Sequence, residues 1–235
     1  MTLPVAILAG GLATRLRPHT AKIPKVLLEV AGEPFANHQH RLLARNRIRR
    51  VVYCLGYLGE QVVEAVGDGS RFGLEVSYVF DGECLMGTGG AIVGALRELD
   101  ERFFILYGDS YLDTDYQAID AAHCASGQRA LMTIYANAGR WDTSNVEFAD
   151  GRIIRYSKKD RNERMRYIDY GLSVVHRSIF ERLPRHAAID LATIYEELAN
   201  TGELAGFEVS RRFYEIGSFA GISELQSYLA EERHA

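Results

Sequence analysis

Alternation of short apolar runs with helical patterns along the first half of the chain is the sequence feature that most constrains its fold. The runs with the length of strands are residues 4–9, 51–55, 74–80 and 103–107. The segments with helical patterns are residues 34–47, 60–66, 89–99 and 116–125. Strands that alternate with helices in this way form a mostly parallel sheet with helices on both faces. We therefore predict an α/β fold with a Rossmann-like, mostly parallel sheet.

The pattern changes after about residue 129, where strand candidates follow one another directly. These candidates are residues 130–136, 145–148, 153–156 and 167–175, followed by helices at 179–183 and 191–199, a strand pair around Phe207 and Tyr214, and a final helix from Ile222. The turn Ala149-Asp150-Gly151 is a strong hairpin signal. We predict one domain over residues 1–235, with a core at about 1–128, a smaller antiparallel lobe and a returning strand at about 129–218, and a C-terminal helix at 219–235.

Charge is unevenly distributed along the chain. The 235 residues carry a net charge of −4, which disfavours a broad nucleic-acid surface. No Asp or Glu precedes Glu29, however, and this opening stretch contains the basic residues Arg15, Arg17, Lys22 and Lys25. A locally positive segment on a mildly acidic protein predicts a small anionic ligand instead of a polyanion.

The cysteines and the hydropathy pattern indicate the cellular compartment. The three cysteines, Cys54, Cys84 and Cys124, are far apart and form no CxxC pair, which is typical of reduced thiols in a cytosolic protein. No apolar run approaches the roughly 20 residues of a membrane span. We therefore expect a cytoplasmic protein without a membrane partner.

A glycine pair directly after the first strand is the sharpest local motif. Gly10 and Gly11 let the backbone approach a ligand and turn N–H groups toward phosphate oxygens. Arg15 adds a planar fork that matches phosphate geometry, and Lys25 adds a point charge. The GxxxxGK(S/T) phosphate loop and the GxGxxG dinucleotide motif are both absent. Taken alone, the glycine pair is equally typical of a simple turn.

Residues 10–15 together with Lys25 resemble the signature GGxGTRLxPxTxxxPKP of the sugar-1-phosphate nucleotidyltransferases, or nucleotide-sugar pyrophosphorylases. The resemblance continues along the chain. Residues 86–92 are similar to the family segment LGTGGAI, 107–109 to NGD, Lys159 to the lysine of EKP, Gly171 to the glycine of NAG, and 214–218 to a late DIGT motif. Short bacterial members, of the heptose-1-phosphate guanylyltransferase and N-acetylmuramate-1-phosphate uridylyltransferase kind, are the most similar in general character.

The resemblance implies a reaction between a nucleoside triphosphate and a sugar 1-phosphate, with Mg²⁺ as the cofactor. In this family the sugar phosphate attacks the α-phosphorus and pyrophosphate leaves. By resemblance, Asp109 and Glu215 are the metal ligands, while Arg15 and Lys25 are the catalytic cations on the triphosphate. From local sequence alone, Asp109 would more readily cap the following turn or helix, and we expect that capping role for Asp113 and Asp115.

The resemblance also divides the remaining site residues into two groups. The residues expected to bind the nucleotide are Leu8, Ala9, Gly10, Gly11, Thr14, Arg15, Lys25, Thr88 and Gly89. The residues expected to bind the sugar phosphate are Gly108, Ser144, Lys158, Lys159, Asp169 and Gly171. The core would thus bind the nucleotide, and the smaller lobe would bind the sugar.

Departures from the family pattern bear on the substrates. Tyr107 stands where Asn is usual, Glu215 where a second Asp is usual, and Asp169 where Asn is common. Because Lys158 also lies where a sugar-binding Glu is common, we expect a sugar other than plain glucose, such as a heptose or an acidic sugar. GTP is the first choice of nucleotide, and UTP, CTP and dTTP stay open. The alternatives in other classes are a non-catalytic nucleotide-sugar-binding regulatory protein and a metal-dependent glycosyltransferase. A homo-oligomer is compatible with the family.

Overall fold

The computed structural model describes residues 2–11, 16, 19–82, 84–141, 143–185 and 187–232. The strands are β1 (Val5–Leu8), β2 (Glu29–Val30), β3 (Glu33–Pro34), β4 (Arg50–Leu55), β5 (Glu75–Phe80), β6 (Arg102–Tyr107), β7 (Ser110–Tyr111), β8 (Ala130–Ala136), β9 (Val146–Ala149), β10 (Arg152–Tyr156), β11 (Tyr167–His176), β12 (Leu204–Val209) and β13 (Tyr214–Glu215). The α-helices are α1 (Phe35–Arg45), α2 (Gly59–Val66), α3 (Gly87–Ala95), α4 (Tyr116–Ser126), α5 (Leu191–Asn200) and α6 (Phe219–Glu232).

A nine-stranded sheet of order β5-β4-β1-β6-β11-β8-β12-β10-β9 forms the centre of the protein. Its first four strands are parallel, and β1 lies between β4 and β6. Alternate residues of β1 face opposite sides: Ala6 packs in the layer that contains α3 and α5, whereas Val5 and Ile7 pack in the layer that contains α1, α2 and α4. Because both faces are covered, β1 is apolar throughout, and β4 and β6 are apolar after their first residue, as the sequence predicts, whereas the edge strand β5 is only partly buried. The α/β fold is confirmed.

The second half of the chain extends the same sheet. Strand β11 runs antiparallel to both β6 and β8, and β9 and β10 form an antiparallel hairpin. The predicted turn is confirmed, because Asp150 and Gly151 both have positive φ, as a tight hairpin turn requires. The segment predicted as a helix at 179–183 is instead a 3-10 turn over Arg177–Ile179.

The predicted pairing of the strands around Phe207 and Tyr214 is wrong. Phe207 lies in β12, which runs parallel to β8 and occupies the place between β8 and β10 in the main sheet. Tyr214 lies in β13, which pairs with Tyr111 of β7 in a separate two-stranded sheet. The apolar patterns predict that both segments are extended, but the choice of partner depends on contacts between distant parts of the chain.

Helix α6 packs the small β7–β13 sheet against the rest of the protein. Leu225 and Leu229 of α6 share a buried cluster with Ile216, Tyr111 and Phe35. This packing holds β13 beside the end of β6, where the Ile216 N–H donates to the Asp109 carbonyl over 2.9 Å. The part of the chain described by the structure contains no helix with both the length and the apolarity needed to cross a membrane.

Candidate functional site

A cleft of about 400 Å³ opens at the carboxyl ends of β5, β4, β1 and β6. The described residues that line it are Leu8, Ala9, Gly10, Gly11, Leu16, Lys25, Val26, Cys54, Asp81, Leu85, Gly87, Thr88, Ala91, Tyr107, Gly108, Asp109 and Gly217. Strand β1 lies between β4 and β6, so the chain order reverses beside it, and open α/β sheets bind ligands at such a switch point.

The segment after β1 forms the floor of the cleft. The backbones of Gly10 and Gly56 approach so closely that a β-carbon on Gly56 would lie 2.7 Å from the Gly10 carbonyl oxygen. A β-carbon on Gly11, by contrast, would meet nothing within 4 Å. Leu8 and Ala9 complete this floor. Four of the residues predicted to bind the nucleotide therefore lie together, whereas Thr14 and Arg15 lie outside the described residues.

A cluster of charged side chains forms the β6 end of the cleft. Asp109 lies two residues after the end of β6, and its Oδ2 lies 2.5 Å from Lys25 Nζ. Glu215 is paired with Ser110 across the β7–β13 sheet. A β-carbon on Gly217 would lie 3.1 Å from Glu215 Oε1 and 3.5 Å from Lys25 Nζ. The fold thus brings together the two predicted metal ligands and one of the two predicted catalytic cations.

The oxygen donors of this cluster fit a magnesium ion. Mg²⁺ prefers oxygen ligands and is usually held by one or two carboxylates together with substrate phosphates. Asp109 lines this end of the cleft, and the Glu215 carboxylate lies beside the lining residue Gly217, so the cluster supplies two carboxylates. Among the described residues there is no group of three or more His, Cys, Asp or Glu side chains suited to a metal. The two carboxylates are therefore suited to a metal ion whose remaining ligands come from a bound substrate.

The start of α3 is attached to the segment before α5. Thr88 lines the cleft, but its hydroxyl donates to Asp190 Oδ1 over 3.1 Å and accepts from the Leu191 N–H over 2.8 Å. The Gly89 N–H donates to the Ile189 carbonyl over 2.8 Å, and Gly89 is not among the lining residues. Thr88 and Gly89 are both predicted to bind the nucleotide, but of the two only Thr88 lines the cleft.

Three residues of the predicted sugar-phosphate group lie beside the β6 end. Gly108 lines the cleft, and a β-carbon there would lie 2.7 Å from the Leu8 carbonyl oxygen. Gly171 has a φ of +97° in β11, and its N–H donates to Asp169 Oδ1 over 3.0 Å. The Tyr156 hydroxyl donates to Asp169 Oδ2 over 3.3 Å. Asp169 is thus held by two donors close to the strand that ends at Tyr107.

Burial changes the protonation equilibria around Asp169. Desolvation raises the pKa of the Asp169 carboxyl above its ordinary value, against the lowering effect of the Lys158 charge. Burial, and then the nearby Asp169 charge, raises the pKa of Tyr107, Tyr156 and Tyr195 well above 10. These phenols therefore stay protonated at neutral pH. The surroundings of Asp169 combine hydroxyl donors with a carboxylate acceptor, which is suitable chemistry for a polyol.

The other residues predicted to contact the sugar phosphate lie farther out. The Lys158 ammonium lies 5.7 Å from the centre of the Tyr107 ring, and Lys159 is exposed in the following loop. Ser144 lines a second cleft of about 570 Å³ and accepts a hydrogen bond from Asn137 Nδ2 over 3.0 Å. Neither Ser144 nor Lys159 lines the first cleft, and their sugar-binding roles remain predictions.

Asp81 is a cleft residue that the sequence analysis does not select. It follows β5 directly, whereas Asp109 lies two residues after β6, and the Oδ2 of Asp81 accepts the Met86 N–H over 3.1 Å. Burial raises the pKa of the Asp81 carboxyl. A carboxylate directly after a strand of the parallel part of the sheet was the signal that could have identified it. The expected capping role of Asp115 is confirmed, because its side chain accepts from the Gln117 and Ala118 N–H groups at the start of α4.

Known proteins are similar in sequence to most of this chain. Mannose-1-phosphate guanyltransferase beta-B from Xenopus laevis is 26% identical over 97% of this chain and 65% of its own length. Glucose-1-phosphate cytidylyltransferase from Salmonella typhi is 26% identical over 88% of each chain. The chain spans less than two thirds of the length of the mannose-1-phosphate guanylyltransferases that it matches.

Solved structures show the same fold. HddC from Yersinia pseudotuberculosis, solved in complex with GMP-PN, superimposes with a TM-score of 0.80 at 21% identity, over 97% of this chain and 100% of that one. The inositol-1-phosphate CTP transferase from T. maritima superimposes with a TM-score of 0.73 at 22% identity, over 96% and 95% of the two chains. The profile of the nucleotidyl transferase family matches residues 5–231, nearly the whole chain, and the protein belongs to that family.

Proposed function

We propose that the protein transfers a nucleotidyl group from a nucleoside triphosphate to a sugar 1-phosphate, giving a nucleoside diphosphate sugar and pyrophosphate. The observation that carries the proposal is the grouping of Lys25, Asp109 and Glu215 at one end of a cleft with a glycine floor. Several relatives are named as guanylyl- or cytidylyltransferases of sugar phosphates, which supports the same class of reaction. The free state of all three cysteines supports a cytoplasmic location.

The reaction needs alignment and charge neutralisation more than proton transfer. An oxygen of the sugar phosphate forms a bond to the α-phosphorus of the triphosphate. The bond from that phosphorus to the oxygen bridging to the β-phosphate breaks, and pyrophosphate leaves with the electron pair. A phosphate monoester has a second pKa near ~6, so the nucleophile is already ionised at neutral pH. In-line positioning and neutralisation of negative charge then supply most of the catalysis.

The charged end of the cleft has suitable groups for these tasks. Asp109 and Glu215 would hold Mg²⁺, which when bound neutralises negative charge on the phosphate oxygens. Lys25 carries a compact charge on a flexible stem, so its ammonium can turn from Asp109 to an α-phosphate oxygen. By resemblance, Arg15 contacts the β- and γ-phosphates with its planar fork.

The acceptor is proposed to lie near Asp169, where Tyr107, Tyr156 and Lys158 surround one carboxylate. A carboxylate accepts hydrogen bonds only, so Asp169 would favour a sugar with hydroxyl donors at that position. We propose a sugar other than plain glucose, such as a heptose or an acidic sugar. GTP is proposed as the nucleotide, with support from the guanylyltransferases among the relatives.

The test is pyrophosphate release over a grid of GTP, UTP, CTP, dTTP and ATP against several sugar 1-phosphates, with and without Mg²⁺. We expect release only when one triphosphate, one sugar phosphate and Mg²⁺ are present together. Release without any sugar phosphate would refute transfer to a sugar. Tight triphosphate binding without release for any sugar would favour the non-catalytic alternative. If glucose 1-phosphate has the highest kcat/KM, the proposal of a sugar other than plain glucose is wrong.

A further inference from the structure

The two ends of the cleft differ in chemistry. Lys25, Asp109 and Glu215 lie where β6 ends, whereas Asp81 lies where β5 ends. The order β5-β4-β1-β6 places three inter-strand steps between these ends, and at roughly 4.8 Å each the ends are about 14 Å apart. This distance leaves room for a ribose and an α-phosphate between them. With the phosphates at the β6 end, the nucleobase lies at the β5 end.

The walls at the β5 end form a surface suited to the face of a flat ring. Gly10 and Gly56 expose backbone without side chains, and a β-carbon on Gly56 would lie 2.7 Å from the Gly10 carbonyl oxygen. Leu85 packs against this backbone, since its Cδ2 would be 2.8 Å from a β-carbon on Gly56, and Leu85 is 43% exposed. A planar base can therefore lie on the surface that the glycine backbone and this apolar side chain form together.

Asp81 supplies the polar group beside this surface. Apart from Lys25 and Asp109, it is the one charged residue among the described residues that line the cleft. Its Oδ2 accepts the Met86 N–H, and none of the described residues donates a hydrogen bond to its Oδ1. A partly buried carboxylate without a cationic partner is costly unless donors reach it. The carboxylate therefore has acceptor capacity that a ligand can use.

We propose that the Asp81 carboxylate selects guanine by accepting hydrogen bonds from its N1–H and N2–H groups. A carboxylate has acceptors only, so it pairs best with a base that presents adjacent donors. Guanine presents two such donors on its Watson–Crick edge. Adenine and cytosine present one amino group beside an acceptor nitrogen, and uracil and thymine present one N–H between two carbonyls. This inference rests on the proposed function and deepens its choice of GTP.

Comparing GTP with ITP tests the inference on the intact protein. ITP keeps N1–H but lacks the N2 amino group, and a hydrogen bond to a charged group accounts for about 10-fold or more in affinity. We expect the wild-type protein to prefer GTP to ITP by about 10-fold or more in kcat/KM and in the Kd measured by calorimetry. In Asp81→Asn, an amide donor replaces one acceptor, so we expect the GTP:ITP ratio to approach 1. The change should appear in KM more than in kcat, because Asp81 lies far from the reacting phosphorus.

Controls separate this inference from a folding defect and from the proposed function. Asp100→Asn removes a carboxylate that pairs with Arg50 on the surface before β6, and its GTP:ITP ratio should equal that of the wild type. The amide introduced by Asp81→Asn keeps an oxygen for the Met86 N–H, so the thermal unfolding of this variant should be close to that of the wild type. An unchanged GTP:ITP ratio in Asp81→Asn overturns the inference. Turnover with a pyrimidine nucleotide as the best donor also overturns it while leaving nucleotidyl transfer intact. If no triphosphate is turned over, the proposed nucleotidyl transfer is wrong. The ratio of the Kd values for GTP and ITP, measured by calorimetry, then still tests the role of Asp81.

Discussion

Replacement of Gly171 by alanine should destabilise the protein through two effects that can be measured separately. Gly171 has a φ of +97°, and a residue with a β-carbon pays about 1–2 kcal/mol in the left-handed region. The added methyl group would lie 3.2 Å from Ser110 Oγ and 3.3 Å from Tyr107 Cδ2, so both neighbours must shift. Crowding of this kind costs about 1–3 kcal/mol. We expect a total loss of about 3 kcal/mol in the free energy of unfolding.

Gly32→Ala is a matched control for the backbone effect. Gly32 has a φ of +87°, but a β-carbon there would meet nothing within 4 Å, so only the conformational cost of about 1–2 kcal/mol applies. For a chain of this size, 1 kcal/mol corresponds to about 2–4 °C in Tm. We expect Tm to fall by about 2–8 °C in Gly32→Ala and by about 6–12 °C in Gly171→Ala, with the larger fall in Gly171→Ala, measured by circular dichroism. Equal losses in the two variants would show that contact with Tyr107 and Ser110 contributes nothing.

Two further predictions concern carboxylates. Asp109→Asn should lower the rate of pyrophosphate release by about 10³-fold at an unchanged fold, because it removes one of the two proposed metal ligands, and a bound metal supplies several kcal/mol in the transition state; near wild-type turnover would exclude Asp109 from the mechanism. Asp169→Asn should raise Tm at pH 7–8 and lower kcat/KM for the sugar phosphate. Burial raises the folded-state pKa of Asp169, so its charge destabilises the fold at high pH, and the gain in Tm should shrink as pH falls and the wild-type carboxyl takes up its proton. A gain in Tm that does not change with pH would contradict this cause.

Residues close together in the sequence determined the strands with continuous apolar runs, the hairpin turn and the helix cap. The continuous apolar runs of β1, β4 and β6 require cover on both faces, and the structure covers them with helices on both sides. The turn at 149–151 and the cap at Asp115 depend on the conformational preferences of a few neighbouring residues. Each of these features is decided by residues close in the sequence, so each could be predicted from it. The floor of the cleft, Leu8 to Gly11, belongs to the same class.

Only the tertiary structure decided which distant segments meet. The pairing of β13 with β7 brings Glu215 to the charged end of the cleft, beside Asp109. Strand β12 lies between β8 and β10 in the main sheet, so it does not pair with β13, although the two are close in the sequence. The position of Ser144 in a second cleft and of Asp81 in the first also depends on the completed sheet. Short strands carry little information about their partners, because the energy of pairing comes from side-chain packing that exists only once the distant segments have come together.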